Sequence, residues 1–264
     1  KDPRSHNNLA ATLHEIGRLA EAELSYQKAI SIDSNCFVTH NNLGNILFKT
    51  NRYAEAENSY RKAISLKYDY IKANCNLAAT LEVMGQLDEA EASYRNVILL
   101  EPNDPAAHNN LGNIFRDLGR LDEAETSFRK VIKLQPYKTS AYRHITLIKK
   151  IDLQDTLYLK MQELYYDKNI SEDQLCHINF GLGKIYADAE QFEQSFKHYK
   201  EGNSLRKKKL NYDFHQDVKL FKELQNNYPI LKQNSLNLDI LKNKPTPVFI
   251  LGMPRSGTTL VEQI

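Results

Sequence analysis

An Asn-Leu-(Ala/Gly) triplet starts at positions 8, 42, 76 and 110, each 34 residues after the last. Glu-Ala-Glu keeps the same register at 21–23, 55–57, 89–91 and 123–125, and so does an aromatic ring at Tyr26, Tyr60, Tyr94 and Phe128. A fixed period of this length confines the chain to a stack of supersecondary units, each burying its apolar face only against its neighbours. Ten glycines and eight prolines in 264 residues are about 4% and 3%, below the usual ~7% and ~5%, so helix breakers are scarce and the units are expected to be helical.

The remaining composition narrows the class. With 41% hydrophobic residues the chain can bury a core, and no apolar run approaches the ~18 residues that span a bilayer, so a soluble, non-membrane protein is expected. Lys and Arg exceed Asp and Glu by 35 to 33, a balance that argues against a nucleic-acid partner. Cys36, Cys75 and Cys176 are widely spaced and form no CxxC pair, which indicates neither a disulfide framework nor a zinc site and favours a reducing, cytoplasmic home. The chain opens on Lys1-Asp2-Pro3 rather than Met, so an upstream segment and its targeting information stay open.

The pattern resembles the tetratricopeptide repeat. In that family a small residue on helix A, here Ala10, Gly44, Ala78 or Gly112, lets helix B approach, and a second one, Ala22, Ala56, Ala90 or Ala124, packs helix B back. Pro102 and Pro136 stand where the family places its closing proline, and Ser34 and Tyr68 depart from it. The register weakens from Tyr142 to Leu164 and recovers at Leu182-Gly183-Lys184-Ile185-Tyr186, followed by Ser195, Tyr199 and Gly202. From Gly112 to Gly183 is 71 residues, two periods plus three. The expectation is a mostly α chain: about six repeats over 1–209, the fifth divergent, in a right-handed superhelix with a concave face. An amphipathic helix (Phe214, Val218, Phe221, Leu224) and a linker follow over 210–244.

Asn8, Asn42, Asn76 and Asn110 sit in mid-helix, where asparagine is a poor helix former. Two roles are open to them. Their amides can form a ladder that holds the backbone of an extended protein or peptide without reading its sequence, like the asparagine ladders of O-linked N-acetylglucosamine transferase repeats, or they can bond neighbouring repeats or simply face solvent. Asn41, Asn45, Asn109 and Asn113 add polar groups beside them. His6, His40 and His108 also recur in register, but stacked helices lie ~8–10 Å apart, too far for shared coordination at ~2.1 Å; they read as packing residues, with no metal. The run Arg206-Lys207-Lys208-Lys209 reads as a solvated helix end that complements the dipole.

The character changes near the end. Val248-Phe249-Ile250-Leu251 has the makeup of a buried strand and runs into Gly252-Met253-Pro254-Arg255-Ser256-Gly257-Thr258-Thr259, after which Leu260 to Ile264 has helical spacing. Strand, tight loop and helix N-terminus form a plan for cradling an anion on backbone amides. A Walker A loop would carry Lys where Thr258 stands, which disfavours a nucleotide kinase or triphosphatase. Pro-Arg-Ser-Gly-Thr-Thr-Leu resembles the 5′-phosphosulfate loop of tyrosylprotein sulfotransferase-like enzymes, and repeats followed by this loop look like the bacterial repeat-containing sulfotransferases. That resemblance implies an enzyme using 3′-phosphoadenosine 5′-phosphosulfate, held by Arg255, Ser256, Gly257, Thr258 and Thr259, with Arg255 polarising the sulfuryl group and the repeats recruiting a hydroxyl acceptor, protein tyrosine among the candidates. On this reading 245–264 begin an α/β domain cut off after Ile264, its 3′-phosphate loop and catalytic base lie downstream, Glu262 is no base, and the polypeptide as it stands is inactive. The alternative is a repeat scaffold for protein–protein interaction, self-association included, to which the tail is incidental.

Overall fold

The computed structural model describes residues 2–233. The chain divides into two compact units, Lys1–Leu210 and Asn211–Ile264. In the second, the described residues form one helix, Phe214–Gln233.

The first unit is a run of helical hairpins: α1 (Pro3–Glu15) with α2 (Leu19–Ile32), α3 (Phe37–Lys49) with α4 (Tyr53–Leu66), α5 (Ile71–Val83) with α6 (Leu87–Leu100), and α7 (Pro105–Asp117) with α8 (Leu121–Leu134). Then come α9 (Thr139–Ile148) with α10 (Thr156–Tyr166), and α11 (Glu172–Asp188) with α12 (Phe192–Lys209). The turn inside a hairpin needs one left-handed residue, supplied by Gly17, Gly85 and Gly119 at φ 80°, 74° and 74° and by Asn51 at φ 61°. Asp2 and Asp104 cap the starts of α1 and α7, each followed by a proline in the first helical turn, where the missing N–H costs nothing.

Packing explains the repeated small and large residues. Tyr26, Tyr60, Tyr94 and Phe128 on the second helices are at most 2% exposed. Each lies against the small residue of its own hairpin; a Cβ built on Gly44 would stand 2.5 Å from the Tyr60 ring, and one on Gly112 2.7 Å from Phe128. Ala22, Ala56, Ala90 and Ala124 are wholly buried. The α3 helix packs against both α1 and α5, and α9 against α11, so the first helices of the hairpins form the inner layer of the superhelix.

Two recurrent polar devices join successive hairpins. In four connecting turns the carbonyl of the second residue is bound by the side chain six residues on: His40 to Ser34 O at 2.9 Å, Asn74 to Tyr68 O at 3.1 Å, His108 to Pro102 O at 2.9 Å and Tyr142 to Pro136 O at 3.1 Å. Three different side chains satisfy one recurrent backbone acceptor, which is the work of the in-register histidines. On the outer side, Arg52 bridges Glu55 and Glu23, Arg61 bridges Glu57 and Glu89, and Arg120 bridges Glu123 and Glu91, each linking two hairpins. These pairs are solvated on the arginine side, so each adds little to stability.

The fifth hairpin departs from the pattern by shortening. Its α9 has 10 residues and its α10 has 11, against 13 and 14 in α7 and α8, and Ile151 from their connection fills the core at 2% exposure. The extra residues reappear in α11, which has 17, and the left-handed turn position shifts to Glu190 at φ 60°. In the basic run, Lys208 pairs with Glu172 at 2.5 Å and Lys209 with Asp173.

The expected strand and α/β beginning fall outside the described residues. The described residues contain thirteen helices and no strand, and the segment that prompted the expectation, Val248–Leu251 with Arg255, Ser256, Gly257, Thr258 and Thr259, lies outside them. A four-residue apolar run before a polar turn is a short-range signal common to many segments, whereas the 34-residue pattern is repeated four times and is tested at every repeat by burial.

Candidate functional site

The four in-register asparagines lie on first helices, hence on the inner layer. Asn8 is exposed, and Asn42, Asn76 and Asn110 are half-buried. The Tyr26 hydroxyl hydrogen-bonds Asn42, and Asn110 Nδ2 donates to the Tyr94 hydroxyl at 3.2 Å. In the middle unit the link is extended: Tyr60 donates to Asn45 Oδ1 at 2.8 Å, and Asn76 Nδ2 donates to Asn45 Oδ1 and Asn41 Oδ1, both at 3.0 Å. Asn42, Asn76 and Asn110 therefore each reach back to the preceding hairpin. Both amide protons of Asn76 are spent inside the protein, so it offers a ligand its Oδ1. Burial pushes the Tyr60 and Tyr94 phenols well above the ordinary range, which keeps them neutral donors.

Asn45 is the hub of this network. Asn45→Ala leaves the buried Tyr60 hydroxyl without its acceptor and removes one of the two that Asn76 uses; urea melts are expected to show a loss of about 1–2 kcal/mol. Tyr60→Phe in the Asn45→Ala background should recover part of it, because the stranded donor is then gone.

The same helices line a cavity of about 210 Å³, walled by His14, Asn45, Phe48, Lys49, Tyr60 and Asn76. The Nε2 atom of His14 is buried there without a hydrogen-bond partner, and burial, then Lys49, lower its pKa, so the ring is neutral at pH 7. A second pocket of about 380 Å³ at the N-terminal edge includes Asn7, Asn8, Asn35 and Thr39, with Thr39 donating to Asn7 Oδ1 at 3.2 Å. Of these residues, sequence reasoning named Asn8, Asn45 and Asn76 as polar groups of the face and Tyr60 only as an in-register aromatic, and missed Asn7, His14, Asn35 and Lys49. A signal existed, since Asn42, Asn45 and Lys49 follow one another at helical spacing on one face.

The chemistry on this face is recognition by amides, hydroxyls and a lysine. Cys75 does not add a nucleophile: it is half-buried, and burial pushes it up to about 11, so it stays protonated at neutral pH. No helix among the described residues is long and apolar enough to cross a membrane.

Comparison with known proteins bears on the same repeats. Sequence profiles of the tetratricopeptide repeat match residues 3–36, 37–67 and 75–139. An uncharacterised protein of Aquifex aeolicus (strain VF5) is 31% identical over 87 residues, which are 32% of this chain and 11% of that protein. Among solved structures, MamA residues 41 to the end from Desulfovibrio magneticus RS-1 superposes with a TM-score of 0.54 at 14% identity, covering 78% of this chain and 96% of that one. YrrB, a repeat protein with an unusual peptide-binding site, gives 0.52 at 19% identity, covering 74% and 90%.

These matches correct the sulfotransferase expectation. The profiles and superposed folds are those of repeat proteins with no sulfotransferase among them, so the assignment of the chain to that family, and of a sulfate-transfer activity to it, is overturned. Tetratricopeptide repeats are matched over residues 3–67 and 75–139, and the first unit of the chain shares the helical-hairpin fold of these repeat proteins.

Proposed function

We propose that this protein is a protein-interaction scaffold that holds an extended polypeptide on the inner face of its superhelix, along Asn8, Asn42, Asn76 and Asn110. The observation that carries the reading is the inner-face cavity of about 210 Å³, where an amide, a phenol, a neutral imidazole and a lysine converge beside the apolar wall of Phe48. A side chain of the guest can enter such a cavity while amide oxygens along the face accept from its backbone. The peptide-binding site of YrrB, on a similar fold, supports the reading.

Selection from a random peptide display library on the immobilised protein, followed by fluorescence anisotropy, tests it. Asn8→Ala with Lys49→Glu alters two exposed positions and is expected to weaken the selected peptides roughly tenfold with an unchanged thermal midpoint. Enrichment of no peptide, or full affinity in that variant, would contradict the proposal.

A further inference from the structure

A cavity of about 470 Å³ lies between the second helices α6 and α8, on the outer side of the superhelix, and none of the ladder asparagines lines it. Its floor is apolar: Leu111 and Phe115 of α7 are 6% and 4% exposed, and Ile98 of α6 is half-buried beside them. Cavities that hold small organic molecules measure roughly 300–1,000 Å³ and have such apolar linings with a few polar groups.

The polar groups at this place differ from those one repeat earlier. In the α5 and α6 hairpin, Asn96 Nδ2 donates to Asn74 Oδ1 at 2.8 Å and links the two helices. One period on stand Lys130 and His108, which turn instead to the connecting loop, Lys130 Nζ to Asn103 Oδ1 at 3.2 Å and His108 to Pro102 O at 2.9 Å. Ser127 also departs from its register. Ser59 and Ser93 return their hydroxyls to the helix carbonyl four residues back, but Ser127, 7% exposed and lining the cavity, makes no hydrogen bond among the described residues. A nearly buried hydroxyl without a partner is costly, and a ligand in the cavity would supply one.

The charges decide which ligand. The guanidinium groups of Arg95 and Arg120 lie 5.7 and 4.5 Å from the centre of the Phe115 ring. Both are matched by carboxylates: Arg95 pairs with Glu91 at 2.8 Å, and Arg120 with Glu91 and Glu123, both at 2.6 Å. Lys130 has no ion pair among the described residues and is held only by the neutral amide of Asn103. It stands seven residues beyond Glu123, about 10 Å along α8, and three beyond Ser127, so ammonium and hydroxyl share one face of the helix. An unmatched ammonium beside an unused hydroxyl at one end of an apolar cavity lacks an anionic head on an apolar body.

We propose that this cavity binds a small apolar carboxylic acid, its hydrocarbon body on Ile98, Leu111 and Phe115 and its carboxylate on the Lys130 ammonium and the Ser127 hydroxyl. Helices on two sides and a third beneath suit a compact body rather than an extended chain. The site is independent of the inner-face reading, so a failure of peptide binding leaves it standing.

The test titrates the isotopically labelled full chain with phenylbutyrate, phenylbutanol and phenylbutylamine, which share one body and differ in the head group, and follows amide chemical shifts. Phenylbutyrate should move amides of α6, α7 and α8 and bind roughly tenfold more tightly than phenylbutanol, with phenylbutylamine the weakest. Lys130→Gln should bring phenylbutyrate down to the affinity of phenylbutanol, and Lys28→Gln on α2 should change nothing. Ser127→Leu should fill the cavity and abolish binding of both, with the thermal midpoint as the check on folding. Equal or tighter binding of the alcohol or the amine would overturn the proposal, and so would shifts centred on other helices or no shifts up to the solubility limit.

Discussion

Phe128→Ala should lower the free energy of unfolding by about 3–5 kcal/mol, measured by urea unfolding. The side chain is wholly buried on α8, lies against Gly112 of its own hairpin and meets His144 of the next at 4.8 Å. Truncation leaves a cavity whose walls cannot close, because α7 and α9 are each tied to the preceding turn, through His108 to Pro102 O and through Tyr142 to Pro136 O. In a stack stabilised only by nearest neighbours, losing this ring also uncouples the fourth and fifth hairpins. The melt should then broaden or divide. A single sharp transition with a loss below about 1 kcal/mol would mean that the ring is no bridge between hairpins.

Gly112→Val should cost about 2–3 kcal/mol by overpacking. The first added carbon would stand 2.7 Å from the Phe128 ring, and the two γ-methyls of valine, stiff in a helix, cannot turn away from it. Gly112→Ala is the informative control. Ala10 and Ala78 occupy the same place opposite Tyr26 and Tyr94 and are fully buried, so a single methyl is accommodated by a small shift of the second helix. Its gain in helix propensity, ~1 kcal/mol, offsets most of that shift. Thermal unfolding of both variants separates steric exclusion from a conformational need for glycine, which at this helical position does not arise.

The hairpins were legible because a solenoid writes its contacts into a local period. Ala22 and Tyr26 lie in the sequence at the spacing at which they pack, and the triplet at Asn42-Leu43-Gly44 marks the close approach of α3 and α4. The hydrogen-bond roles of the in-register polar residues were not legible. His40, Asn74, His108 and Tyr142 share one acceptor although their chemistry differs, and only the fold places the turn carbonyl within reach. The asparagines were read with two roles open. Asn42 and Asn110 reach back to the tyrosines of the preceding hairpin and Asn76 to Asn41 and Asn45, which leaves part of each amide for a guest.

The glycine-containing tail taught the opposite lesson. Gly252 to Thr259 is one short motif without a periodic partner, and its resemblance to a phosphosulfate loop led to an enzyme that the comparisons overturned. A repeat carries its own check, since each unit must bury the next.

What the chain's amino-acid order determined by itself is the hairpin, its length and its small–large packing pairs, because these depend on residues close together in sequence. What the tertiary structure alone decided is which polar atoms remain for a partner. That depends on distances across hairpins: Asn76 spends both amide protons on Asn41 and Asn45, and Asn110 donates to the Tyr94 hydroxyl, which leaves their Oδ1 atoms for a guest.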